Sequence, residues 1–382
     1  MRNALRTAVL LLPAAALLTF GGTAQGGGSR QAAIATIKQF VTGASQAVGA
    51  PGVKIKITKS QADSDLAKFT EYVPQGYSLT TSASVGTQLG TAAATVFARD
   101  LSAIVPVTGT VSVANPADFA AAATACTGTA THTAIWALNL QAAGTPLTVP
   151  AFIDTITTPP LNAIASASIV FCLPPSDIPA GTPGRATLGA SVITAEFTTS
   201  AIANPPSPGE YRWRGTATPY QTANGKVDAA STVEVQALVE LPTTLSLKAK
   251  ASKSTKKGVE NVAFNGSLLA DLKGVNGATV DVFKGSTPTG VRKFKTLSTD
   301  SNGAFSGTFA VLQHKTATSV YLLAKGATTD QDLGSAACQA TFVPPASPFP
   351  IPCIDATVSA VAVTSSTVKV TIPAAPKPKK KK

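Results

Sequence analysis

Two histidines, His132 and His314, are the only side chains of the 382-residue sequence whose ordinary pKa lies near neutrality. A hydrolytic histidine needs a carboxylate orienting one ring nitrogen and a nucleophilic hydroxyl at the other. Asp154 and Asp118 are the candidate acids for His132, and serines are plentiful, but no G-x-S-x-G elbow marks a nucleophile. His132 therefore stands between a catalytic base and a structural or exposed imidazole. The remaining carboxylates are sparse and scattered, which gives a paired-acid glycosidase site no anchor. Asp300-Ser301-Asn302-Gly303 matches half of a calcium loop but lacks its downstream Glu, and a plain β-turn competes with that reading. There is no P-loop and no dinucleotide fingerprint. No cofactor or metal is expected.

The four cysteines are Cys126, Cys172, Cys338 and Cys353. An even number in an exported chain reads as disulfides. The sequential pairing, Cys126–Cys172 and Cys338–Cys353, is expected because each pair then lies within one domain. A metal site is the alternative, without C-x2-C spacing to support it. The order Cys126, Trp136, Cys172 suggests a disulfide packed on a core tryptophan. Trp136, Tyr211, Trp213 and Tyr220 also form a candidate sugar-stacking platform, against which stands the reading of all four as core residues.

Export is read from residues 1–24. Arg2 and Arg6 precede an apolar run from Ala8 to Phe20, and small residues end at Ala24. This is the three-part pattern of a signal peptide. The run is short for a span, which needs about 20 apolar residues, so the mature chain is expected to lack a transmembrane segment. Charge is uneven: residues 25–242 carry a net −1, residues 243–372 a net +6, and five lysines follow. Those five, Lys377, Lys379, Lys380, Lys381 and Lys382, sit in a Pro-rich tail, 373–382, that is expected to be disordered. Such a tail would hold an anionic surface, either cell-wall polymers or acidic lipid headgroups, with salt-sensitive affinity, or would simply solubilise. It offers no means of reading a specific nucleic acid.

Positioning these groups falls to β-strands. Strands are expected at Lys68–Val73, Ala93–Ala98, Val107–Val113, Thr133–Leu140, Ile169–Leu173, Gly189–Phe197, Tyr211–Tyr220 and Thr232–Leu241. Val53–Ile57 alternates strictly and reads as an edge strand guarded by Lys54 and Lys56. Residues 25–52 read as a linker, within which Ile34–Val48 has helical spacing as well. Pro116–Ala121 reads as a helical turn. A boundary falls at Leu241-Pro242-Thr243-Thr244. A second unit then holds strands at Leu245–Lys250, Val262–Leu269, Val280–Phe283, Arg292–Leu297, Ala304–Ala310, Thr318–Lys325, Ala337–Phe342, Asp355–Val363 and Thr367–Ile372, with a Pro-rich loop, 344–352, between Ala337–Phe342 and Asp355–Val363.

Two stretches carry a family likeness. Gly274–Val282 and Thr299–Ser306 resemble the G-x-x-V-x-G-A-x-V strand and the T-D-x-N-G-x-F-S hairpin of bacterial immunoglobulin-like and carboxypeptidase-regulatory-like modules. Pro208–Arg214 resembles the G-x-Y-x-W strand of the same repeats, with Tyr211 and Trp213 on one face and Arg212 and Arg214 on the other. The resemblance implies an all-β chain of two immunoglobulin-like β-sandwich domains, 53–242 and 243–372. It names a scaffold and no activity. The expected function is a secreted or cell-surface, non-enzymatic module for adhesion, spacing or interaction with a protein or glycan ligand. A carbohydrate- or cell-wall-binding module is the alternative, and a secreted hydrolase the third reading.

Overall fold

The computed structural model describes residues 33–142, 144–339 and 351–377. The signal-peptide reading, residues 340–350 of the expected Ala337–Phe342 strand and Pro-rich loop, and Lys379–Lys382 lie outside the described residues. Among the described residues the fold is all-β with one short α-helix, and it is consistent with a β-sandwich.

Twelve strands open the chain: β1 (Lys38–Gly43), β2 (Pro51–Thr58), β3 (Leu66–Pro74), β4 (Ser78–Leu79), β5 (Gln88–Ala98), β6 (Ala103–Val113), β7 (Ala134–Ala142), β8 (Thr145–Thr155), β9 (Ala165–Cys172), β10 (Ala190–Ala203), β11 (Gly209–Pro219) and β12 (Val233–Leu241). Helix α1 (Ala120–Thr127) follows a 3-10 turn at Pro116–Phe119. Asn115 caps that turn, its Oδ1 accepting from the Ala117 amide at 3.3 Å, with Pro116 just inside.

The next eight strands are β13 (Thr243–Leu245), β14 (Lys248–Lys253), β15 (Val259–Ala270), β16 (Lys273–Gly274), β17 (Thr279–Gly285), β18 (Arg292–Ser298), β19 (Ala304–Leu312) and β20 (Thr318–Ala327). The chain closes with β21 (Gln331–Asp332), β22 (Cys353–Val358), β23 (Ala362–Thr364) and β24 (Val368–Ile372).

The first region is one long sheet in the order β1-β2-β10-β5-β6-β7-β8-β9-β3-β11-β12-β22-β21, with β4 on β10. It rolls until its two ends meet. Thr357 Oγ1 on β22 donates to the Gln39 carbonyl on β1, and Lys38 reaches both Asp332 and Asp355. Inside the roll lie Trp136, Trp213, Ile153, Ile169, Phe197 and Ile202, with a second cluster around Ile37, Phe69 and Val235. The second region stacks β13, β14, β15, β16 and β19 against β17, β18, β20, β23 and β24 over Val262, Phe264, Leu268, Val280, Val282, Phe305 and Leu322.

Several expectations need correction. Residues 38–43 are neither helix nor linker but strand β1; Gln39 and Val41 point inward and are buried there, a period of two that the helical spacing had masked. Strand β2 is not an edge, because β1 covers one side and β10 the other. Its lysines do lie on the outer face, where Lys54 meets Glu196 at 3.4 Å and Lys56 sits over the Phe40 ring.

Strand β8 was not expected, since Pro146 and Pro150 argue against a central strand. Its pairing with β9 involves only Ala151–Thr155, so the proline half keeps one free edge where a missing N–H costs nothing.

The Thr299–Ser306 pattern is not a hairpin within one sheet. Its turn is tight, with Gly303 at φ 72° as the turn chemistry requires, but β18 pairs with β17 and β19 with β15, so the turn arches between sheets.

Residues 353–358, expected in the second unit, form β22, which runs parallel to β12 in the first sheet. Ala356 and Thr357 are fully buried there, so local strand grammar was right and the partner was not.

Candidate functional site

The small side chains of β5 shape an apolar concavity within the roll. Ala92, Ala94, Val96 and Ala98 face inward and leave room between the layers, giving a cavity of about 260 Å³. Val107, Leu138, Leu140, Phe171 and Phe197 line its other walls. Pairing places the β5–β6 turn, the β7–β8 turn, the end of β9 and the start of β10 at one end of the roll. The mouth opens at that end, where Leu147 and Leu188 are 40% and 37% exposed. Arg185 beside it forks onto Asp100 with contacts of 2.8 and 2.7 Å, which raises the guanidinium and holds the Asp100 carboxyl below its usual range. Of the two carboxyls that line the cavity, Glu196 and Glu71, the latter, on β3, is 1% exposed.

The His132 reading finds its acid but not its setting. Nδ1 lies 2.7 Å from Asp154 Oδ2, and Nε2 lies 3.0 Å from Thr127 Oγ1 at the end of α1. The order hydroxyl, imidazole, carboxylate is that of a hydrolase relay. Yet the hydroxyl belongs to a threonine that also reaches the Ala123 and Thr129 carbonyls, at 2.9 and 3.1 Å. The His132 side chain has no exposed surface, packs on Phe152 at 4.9 Å, and lies away from the cavity walls. What this geometry does is pin the end of α1 to the β7–β8 ladder. Asp118 sits beside its own cap residue, Asn115, and His314 is exposed on the other region.

The aromatic platform is overturned by burial. Trp136 and Trp213 have no exposed surface, and Tyr220 is 9% exposed with its hydroxyl on the Leu173 carbonyl at 2.6 Å. Trp136 stacks on Phe197 at 5.9 Å and 18°. Trp213 meets Tyr77 edge-on at 4.8 Å, and Tyr77 meets Tyr211 at 5.6 Å. Rings that close a core cannot stack on a sugar. The facing of β11 is as expected, since Arg214 points the other way onto Glu234 at 2.7 Å.

Both cysteine pairs are joined as expected: Cys126–Cys172 with Cα atoms 5.8 Å apart, and Cys338–Cys353 at 6.2 Å. The first does not pack on Trp136. Strand alternation sends Trp136 inward, while the disulfide sits outside with Ile135, Ala137 and Phe152 beneath α1. The Asp300 carboxylate is occupied by its own turn, accepting from the Asn302 and Ala304 amides at 2.8 and 2.9 Å. Lys377 is exposed, and the other four tail lysines are outside the described residues.

Sequence reasoning missed the buried polar groups of the roll, Asp65 and Glu71 among them. Asp65 accepts from Arg99 at 2.9 Å and from Ser191 at 2.5 Å, and also takes the Ser176 hydroxyl. Glu71 accepts from Gln39 at 2.8 Å. Their partners are up to 126 positions away, so spacing carried no signal. Among the described residues no cluster of three His, Cys, Asp or Glu could hold a metal, and no helix is long and apolar enough to cross a membrane.

No protein-family model matches this chain, and no curated protein matches it.

Proposed function

We propose that this chain is a non-enzymatic extracellular binding protein that holds an apolar small molecule inside the rolled sheet. The carrying observation is the cavity between β5, β6 and β10 on one side and β3 and β9 on the other, mostly apolar and open at one end between Leu147 and Leu188. Ligand pockets are of this kind: concave, mostly apolar, with few polar groups that fix orientation. The two disulfides fit an oxidising compartment, which supports the extracellular part of the reading. The smaller sandwich, β13–β20 with β23 and β24, whose Gly274–Val282 and Thr299–Ser306 resemble immunoglobulin-like modules, acts in this scheme as the spacer or adhesive half. The net +6 of residues 243–372 and the lysine tail favour an anionic surface as its contact.

The test is a titration of the oxidised protein with a polarity-sensitive naphthalene dye. A saturable, blue-shifted signal is expected, and Ala94→Phe, which puts a ring into the cavity, should weaken it roughly tenfold. Equal affinity in the two proteins, or a signal that never saturates, would sink the reading.

A further inference from the structure

The cavity is mostly apolar, and its one deeply buried ionisable side chain among the described residues is Glu71. Glu71 sits in the middle of β3, opposite Ile169 on β9 and Gly215 on β11. From Leu66, at the mouth end of that strand, Glu71 lies about 16 Å further in at strand rise. Gln39 enters from β1 and donates Nε2–H to Glu71 Oε1 at 2.8 Å. Gly215 makes this approach feasible, because a Cβ there would collide with Gln39 Oε1 and with the Phe69 ring. Glu71 Oε2 and Gln39 Oε1 are both buried and have no hydrogen-bond partner among the described residues. Leaving buried polar atoms unmatched costs free energy unless something else meets them. The other charged groups bordering the cavity are already engaged, Arg185 with Asp100 and Glu196 with Lys54.

Taking the cavity as a binding site, as proposed above, we infer that its ligand is an uncharged medium-chain amphiphile, inserted polar end first so that a hydroxyl or carbonyl oxygen meets Glu71 Oε2. The size follows from volume: 260 Å³ holds roughly nine groups of water or methylene size. The charge follows from burial, since a second anion next to a buried carboxyl would lack any cation to match it. Burial also pushes the Glu71 carboxyl well above its ordinary range and so favours the neutral acid, against a smaller opposing effect of the Gln39 hydrogen bond. A neutral carboxyl has one O–H to donate, and it can receive a hydroxyl in return.

The experiment uses the oxidised full chain and three probes of matched length: 1-nonanol, 2-nonanone and n-nonane, each displacing the bound dye. Glu71→Leu is expected to weaken nonanol and nonanone about threefold to tenfold, the worth of one net hydrogen bond, and to leave nonane unchanged. Glu71→Gln, which keeps a donor, should retain most of the nonanol affinity. A readout on the unmutated protein guards against misfolded variants: the carbonyl stretch of bound 2-nonanone should fall to lower frequency than in hexane. A hexane-like stretch, or a loss for nonane as large as for nonanol, overturns the orientation. Failure of all three probes to displace the dye overturns the binding-site reading on which this inference rests.

Discussion

The rolled sheet and the smaller sandwich use the same strand grammar and fill their interiors differently. The sandwich core is mostly hydrocarbon, with Phe264, Phe305, Leu268, Leu322, Val280 and Val282 meeting across two five-stranded sheets; its one buried carboxylate among the described residues, Glu260, accepts from Gln313 at 2.7 Å. The roll has alanines where its layers face the cavity, and it buries Gln39, Asp65, Glu71, Arg214, Glu234 and Gln236. Close packing leaves no room for a ligand, and buried polar groups are poor for stability unless fully matched. The contrast is the one expected if, as proposed above, the sandwich supplies structural solidity and the roll recognition.

The sharpest way to break that contrast is to change volume in both places. Phe264 is 3% exposed in the sandwich, so Phe264→Ala should destabilise by about 3–5 kcal/mol in urea unfolding. In the same core Ala324, fully buried, should not accept Ala324→Leu without a cost of about 1–3 kcal/mol. Ala94→Leu on the cavity wall should cost less than 1 kcal/mol or stabilise, because the added methylenes enter space already there. If Ala94→Leu costs as much as Ala324→Leu, the cavity is not available volume and the contrast fails.

Next in size are the disulfides, both attached to the roll. Cys126–Cys172 closes 46 residues and Cys338–Cys353 closes 15. Loop entropy gives about 4 kcal/mol for the longer and about 3 for the shorter. Replacing each pair by alanine and comparing urea midpoints checks both numbers. Loss of the shorter bridge should release β22 from β12 first, seen as faster amide exchange at Asp355–Val358.

Much of this architecture could be read from residues. The strands of the roll from β3 to β12 were legible because alternation and turn residues agreed locally, except β8 for its prolines and β4 for its two-residue length. The cysteine pairing was legible because sequential bridges are short-range. What could not be read was partnership. Asp355–Val358 looks like any strand, and nothing in it says that it lies beside β12 rather than β20. The tryptophans could be read as core or platform because period two states which residues share a face, not what lies beyond it. Glu71 was invisible for a further reason. A single carboxylate in an apolar strand carries no motif, and its meaning comes from Gln39, Gly215 and an empty volume assembled from distant strands.

A smaller effect probes that carboxylate by pH. Its folded-state pKa is raised by burial from the ordinary 4.5. The folded chain thus keeps a proton that the unfolded chain has released. Stability from this group is fully present below the unfolded value and declines as pH rises towards the raised one. The slope cannot exceed about 1.4 kcal/mol per pH unit for one proton. Urea midpoints of Glu71→Gln should lack that decline above pH 4.5 while matching the parent below it. An identical pH profile in both proteins would show that Glu71 ionises freely, and the polar end of the cavity would then be charged.

The smallest expected effect lies on the sandwich, where aromatic rings serve packing and a cation at once. Lys284 on β17 stands over Phe294 at 5.0 Å and over Phe309 at 4.9 Å. Those rings meet edge-on at 5.2 Å, and Phe264 joins them at 5.9 Å from Phe294. The ammonium is exposed, so the attraction to the two ring faces is worth about 0.5–1 kcal/mol. Lys284 also extends its methylenes over the same rings, and that packing must be separated from charge. Lys284→Met keeps the length and removes the charge, whereas Lys284→Ala removes both. If the cation matters, Met should lose most of what Ala loses, and the difference between Met and Lys should persist in moderate salt, since the ring quadrupole acts at contact. If Met equals the parent, the cluster is held by hydrocarbon alone, and the sandwich is as uniformly apolar at its surface aromatics as in its core.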